Sequence, residues 1–347
     1  MEKDTVSIRF VDAALARLAP AARLRVLDAA VLPVELLEAP LARVTADTFA
    51  TVWLAVAREL DDEFFGLDAR RMKVGSFALL AQAAVSSGTL GRALRRILRG
   101  LRTFLDDIEG ELRVAGGRAV IAVSNRIAEP AARRFADETF LVMVHGLACW
   151  LAGKRLAIVE AAFAQPRPAH AAEYAVMFSE RLRFDAPQTA LELDARVLDA
   201  PVVQDAAALR VFLRDAPQSV FLKYRNRDSW TARLRRRLRT SLGDAEWPAL
   251  EDVAREFHVA AATLRRRLEA EGTSYQGIKD ELRRDAAIHH LCHSPLPIAD
   301  IGVLLGYREP SAFHRAFKKW SGVRPGEYRL RWRHSTRSLA KAGSPGG

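Results

Sequence analysis

One pattern of residues occurs twice in the last third of this 347-residue chain and constrains its fold more than any other feature. The first copy runs over 248–257, turns at His258-Val259-Ala260 and continues over 261–268. The second runs over 296–305, turns over 306–309 and continues over 310–317. Leu250, Val253, Ala254 and Phe257 recur 48 residues later as Ile298, Ile301, Gly302 and Leu305. Leu264 and Leu268 recur 49 later as Phe313 and Phe317, so the second turn is one residue longer; Gly272 and Ile278 recur 50 later as Gly322 and Tyr328. Each segment has the apolar spacing of a helix. Two helices joined by so brief a turn cross steeply, and a small residue must sit where they meet; Ala254 and Gly302 hold that place. A mid-helix glycine costs about 1 kcal/mol against alanine, so Gly302 reads as a close-packing residue. Gly306 can take the positive φ that a sharp turn needs, and His258, at the same place in the first copy, is of a type that enters that region more often than most.

In each copy the second helix keeps one apolar stripe for a core and leaves the opposite face free. The free faces carry Ala262, Arg265 and Arg266, with Thr263 beside them, and Pro310, Ser311, His314, Arg315 and Lys318. An arginine spans O6 and N7 of guanine and discriminates against a wrong base by ~1–3 kcal/mol. Ala262 and Pro310 offer apolar contact, for instance to a thymine methyl, and Thr263 can reach a phosphate. The charge is distributed to match: residues 1–215 hold 28 basic and 28 acidic residues, whereas 216–347 hold 25 and 14, the whole excess of +11. Such asymmetry suits a polyanion, whose counterions are released as phosphates are neutralised. Only 8 of the 53 basic residues are lysine, and arginine favours bidentate recognition of phosphate and guanine.

The second copy, with Trp320-Ser-Gly-Val-Arg-Pro-Gly-Glu-Tyr-Arg329, resembles the signature of the AraC/XylS family of bacterial regulators (G-x-x-P-x-x-Y-R), and the resemblance covers about residues 228–332. It implies seven helices, namely two helix-turn-helix units joined by a linker helix at about 275–292. Carried over by position, Arg265, Arg266, Ser311, His314 and Arg315 would face bases. Ala260 and Arg308 stand where members often place a serine near the start of a recognition helix. Ser311 is therefore expected to cap the second helix, and the first to start loosely. The stretch from Phe65-Gly-Leu-Asp68 through Gly75-Ser-Phe77 and on to the helix expected over 89–105 is similar to the effector-binding and dimerisation domain of one branch of the family.

Upstream, helices are expected within 8–37 and 47–64, and a stronger one over 89–105, where Thr89 can cap and Leu90, Leu94, Ile97, Leu98, Leu101 and Leu105 keep helical spacing. Its other face carries Arg92, Arg95, Arg96, Arg99 and Arg102, which reads as a solvated face or as a seat for an anion or a second DNA contact. A β-hairpin turns at Gly116-Gly117; a buried helix (131–151), a strand (156–163), a helix (168–178) and strand-like pieces at 183–184 and 190–193 follow. The expected architecture is an α+β effector and dimerisation domain (1–200), a linker (201–228), an all-α DNA-binding domain of two tandem helix-turn-helix units (229–333) and a disordered tail (334–347).

Other clusters are weighed against packing. His289, His290, Cys292 and His293 have a spacing metals can use, yet Leu291 and Cys292 are expected to face a core, so no metal is assigned. His145 and Cys149 fit core packing. Asp61-Asp62-Glu63 and Asp106-Asp107-Glu109 are expected to be solvated turn acids rather than catalytic pairs. No phosphate-binding loop, dinucleotide fingerprint or nucleophile elbow is present, and no enzyme activity or cofactor is expected. Two cysteines cannot make a disulfide framework. The charged start lacks the core of a signal peptide, and the longest apolar stretch, 140–152, is short of the ~20 residues of a spanning helix. These features point to a cytoplasmic, sequence-specific transcription regulator, expected to be an activator, whose expected partners are promoter duplex DNA, a small-molecule effector, RNA polymerase and a second copy of itself, with no membrane. The alternatives are an enzyme fused to a DNA-binding module, which needs a convergent acid/base or metal site in 1–200, and a non-specific nucleic-acid binder, of RNA for instance, which needs free aromatic platforms.

Overall fold

The structure is a computed structural model and describes residues 5–38, 42–168, 170–179, 181–214, 220, 230–241, 247–270, 273–307 and 309–330. The expected tail at 334–347 and the later part of the expected linker, residue 220 excepted, lie outside them.

The first domain opens with β1 (Thr5–Ser7), paired antiparallel with β2 (Arg43–Thr45), around α1 (Ile8–Leu15) and α2 (Pro20–Ala29). Three further helices follow: α3 (Ala46–Leu60), α4 (Ser76–Val85) and α5 (Leu90–Phe104). Thr45 and Thr89 cap α3 and α5, accepting from the Thr48 and Arg92 amides at 3.1 and 3.4 Å. A five-stranded sheet has the order β3-β4-β7-β5-β6, from β3 (Ile108–Ala115), β4 (Arg118–Asn125), β5 (Ile158–Ala162), β6 (Leu182–Arg183) and β7 (Thr189–Asp194). Gly116 and Gly117 turn the first hairpin with φ of +56° and +75°, the two positive values a type I′ turn requires. Against the sheet lies α6 (Pro130–Leu151), buried without a break from Phe135 to Leu151. A helix apolar on every side belongs in a core, and no helix among the described residues is long and apolar enough to cross a membrane. Three of the polar groups of α6 find partners inside the domain, while the Thr139 hydroxyl is buried without one. Asp137 accepts from Asn125 and Thr189, Glu138 takes the Tyr174 hydroxyl of α7 (Ala171–Met177), and His145 lies 3.0 Å from the Leu156 carbonyl.

Two expectations change. Asp62 and Glu63 are not solvated turn acids. Asp62 is 1% exposed and accepts from the amides of Phe64, Gly66 and Met72, while Glu63 accepts from those of Gly75 and Phe77. Asp68 does the same for Asp106, Asp107 and Ile108. The segment between α3 and α4 has no ladder to satisfy its buried amides, so carboxylates do. The expected linker also begins with a helix, α8 (Ala206–Arg214), which packs on the first domain and stacks Phe212 on Trp150 at 4.3 Å. The arginine stripe of α5 is exposed, though Arg96 bonds the Ala83 carbonyl and Arg102 pairs with Glu109.

The C-terminal half is helical: α9 (Trp230–Arg239), α10 (Leu250–Glu256), α11 (Ala261–Ala270), α12 (Tyr275–His293), α13 (Ile298–Leu304), α14 (Pro310–Ser321) and residues 325–330, seven among the described residues. Its cores are unequal. Leu234, Leu250, Val253, Leu264, Leu268, Ile278 and Leu282 form a cluster of their own, whereas Ala287, Ile288, Leu291, Ile301, Phe313, Phe317 and Tyr328 are continuous with the core of the first domain. The long α12 therefore has one end in each.

Candidate nucleic-acid interface

Each reading helix is held by what its neighbour lacks. Ala254 is 1% exposed at the crossing of α10 and α11. At the crossing of α13 and α14, a Cβ on Gly302 would lie 3.3 Å from the Phe313 Cβ. His258 and Gly306 both take positive φ, +55° and +77°. A non-glycine residue there is uncommon, and histidine bears it better than most. Gly306 has a second reason to be glycine: a Cβ would sit 3.1 Å from Trp247 Cδ1, where the first unit meets the turn of the second.

With those turns set, the stripes separate as expected. Leu264, Leu268, Phe313 and Phe317 are buried; Ala262, Arg265, Arg266, Pro310, Ser311, His314, Arg315 and Lys318 are exposed, and Thr263 is half-buried. Pro310, Ser311, His314, Arg315 and Lys318 line one shallow concavity of about 460 Å³, together with Arg324. Sequence reasoning missed Arg324 because it lies beyond the reading helix, past the left-handed Gly322 (φ +79°) that turns the chain back. Ser311 does not cap α14. Glu309 is the N-cap, without a side-chain bond, and Pro310 opens the helix, leaving Ser311 within the first turn facing outward. Proline suits that first position because its missing donor would have had no partner.

Much of the basic excess serves packing instead. The Arg233 and Arg267 guanidiniums both pack on the Trp230 ring, at 4.4 and 4.2 Å. Arg283 lies 5.1 Å from both Trp247 and Tyr307 and donates to the Leu305 carbonyl, so it clamps one unit to the other. Arg235 is buried against Glu281, and Arg237 pairs with Glu256. A count of charges cannot separate these from the arginines left exposed on the outer faces of α11 and α14. Aromatic neighbours three or four positions along a helix were the available signal, as with Arg233 and Trp230.

The second unit also touches the first domain. The Tyr328 hydroxyl donates to the Arg43 carbonyl of β2 at 2.7 Å, and the Arg43 guanidinium pairs with Glu173 of α7 at 2.5 Å. Tyr328 is the tyrosine of the sequence signature and is 1% exposed. Among the described residues, no group of three or more metal-ligating side chains converges.

Comparison with known proteins agrees with this geometry. Residues 21–202 match the profile described as the arabinose-binding domain of AraC transcription regulator, N-terminal, and residues 253–331 match a helix-turn-helix domain. The chain belongs to the AraC family of transcription regulators. An ornithine utilization regulator of Pseudomonas aeruginosa is 32% identical over 87% of this chain and 89% of its own. An uncharacterized HTH-type transcriptional regulator of Mycobacterium tuberculosis is 27% identical over 82% and 84%. Transcriptional activator NphR of Rhodococcus is 28% identical over 40% and 44%. As a member of the AraC family the chain is a DNA-binding transcription regulator, with an effector-type domain ahead of its helix-turn-helix half.

Proposed function

We propose that this regulator reads two successive major grooves of promoter DNA, α11 entering one and α14 the next, about one turn (~34 Å) further on. The observation that supports this most is the pairing of two exposed basic faces with two buried apolar stripes on helices joined through α12. Arg265, Arg266, His314 and Arg315 are assigned to base edges, with Ser311, Pro310 and Ala262 at their borders. Thr263, Lys318 and Arg324 are assigned to phosphates. Phe313 and Phe317 are fully buried and Phe257 half-buried, which disfavours a reading by stacked bases, since that needs free rings. The first domain binds a small effector and pairs two copies, and the pair recruits RNA polymerase as a cytoplasmic activator. Effector binding must favour one arrangement of the reading units, or it changes nothing.

Selection of bound duplexes from a random library tests the reading, with Arg315→Ala run alongside. The expected result is two enriched blocks about 10 base pairs apart, the second lost in the variant. Binding without any enriched block, fading uniformly with salt, would refute it.

A further inference from the structure

The first domain contains a cavity of about 210 Å³ between α3, α4, α6 and α8, closed on one side by Val220. Its walls are apolar: Trp53, Phe77, Met143 and Leu213 dominate, and only Arg58 and Glu63 bring charge. The two charges stand differently. Both Glu63 oxygens are already engaged, one by the Gly75 amide at 2.8 Å and the other by the Phe77 amide at 2.7 Å. Burial also pushes the Glu63 carboxyl above its ordinary range. Glu63 thus acts as a clamp that fixes the Phe77 wall. Arg58, exposed in the last turn of α3, makes no ion pair among the described residues, whereas its neighbour Glu59 is held by Arg25 at 2.8 Å.

An apolar chamber beside an unpaired guanidinium selects a particular kind of molecule. The chamber is smaller than the ~300–1,000 Å³ typical of drug-sized ligands, so its occupant is small. The guanidinium presents a fork of donors matched to a carboxylate. We propose that this cavity is the effector seat and that it takes a small monocarboxylate with an aromatic or aliphatic body, the body between Trp53, Phe77 and Met143 and the carboxylate on Arg58. This deepens the effector-binding reading above and rests on it. A neutral molecule of the same shape leaves Arg58 unused. A primary amine places a cation beside it, with only the engaged Glu63 to compensate.

The test is calorimetric titration of the full-length protein with phenylacetate, phenylacetamide and phenethylamine, which share a body and differ in charge. Wild type is expected to bind phenylacetate at least tenfold more tightly than the amide, and the amine least. Arg58→Ala, at an exposed position, is expected to keep its unfolding temperature and lose that tenfold preference. Ala78→Leu, which fills the chamber, is expected to lose binding of both acid and amide. No binding of phenylacetate by wild type, tighter binding of the amine, or an unchanged preference in Arg58→Ala would each overturn the proposal. The DNA selection is run separately without ligand. Two enriched blocks with no acid bound would reject this seat and leave the DNA reading standing. Acid bound without effect on the affinity for the selected duplex would reject its role as effector and leave the seat.

Discussion

Replacing Gly302 tests whether packing alone sets the direction of the second reading helix. An added Cβ would stand 3.3 Å from the Phe313 Cβ and 3.4 Å from its Cγ and Cδ1, so the neighbour would have to give way by a few tenths of an ångström. Phe313 is fully buried, with Tyr307 and Phe317 rings at 5.6 and 5.9 Å, and has no free direction in which to turn. Gly302→Ala gains about 1 kcal/mol of helix propensity and loses part of it to that contact, leaving stability within roughly 1 kcal/mol of wild type. Gly302→Val adds two methyl groups beyond that Cβ to the same space, and overpacking of this kind costs ~1–3 kcal/mol. The strain is relieved by moving α14 away from α13, which carries His314 and Arg315 with it. Urea denaturation and duplex selection on both variants measure the two effects. The valine variant is expected to be less stable than the alanine one and to lose the second sequence block before the first. Equal stability of the two, with both blocks retained, would show that the crossing is not fixed at Gly302.

Burial lifts the Glu138 carboxyl from 4.5 to about 8. Between those values the folded state holds a proton the unfolded chain has released, so stability falls as pH rises through that window and levels off above it. Glu138→Gln is expected to flatten the dependence and to raise the unfolding temperature more at pH 8 than at pH 5; an unchanged pH profile would count against it. Tyr328→Phe removes the donor to the Arg43 carbonyl and is expected to cost about 1 kcal/mol, approaching ~3 if the carbonyl is left unpaired; unaltered denaturation of the full chain would deny that contact a role. Asp62→Ala strips three amides, two of them in buried bonds, of their acceptor. With ~1.5–3 kcal/mol for each bond to a charged group, and incomplete additivity, a loss of about 3 kcal/mol or more is expected in the same assay.

The tandem units were legible because helix period, turn chemistry and charge all pointed to one arrangement. The lag of 48 residues, Gly302 at the crossing and the positive φ at His258 and Gly306 reappear in the structure. The hairpin at Gly116-Gly117 and the cap at Thr89 were legible for the same local reasons. What escaped depends on distant partners. Nothing near Asp62 in the chain announces that Met72 will need its oxygen, and nothing near Tyr328 announces Arg43. The cap expected at Ser311 went wrong more subtly, because Pro310 moved the helix start one residue ahead of it.

The unequal cores have a mechanical consequence. The second reading head shares its interior with the effector domain, while the first has an interior of its own and reaches the rest through the near half of α12, the Trp247–Gly306 contact and the Arg283 clamp. When a promoter offers the two blocks one base pair too close or too far, the mismatch falls on the head with fewer anchors. If the two units read DNA as proposed, spacer tolerance belongs to the first, and a change in the effector domain has its shortest route to the second.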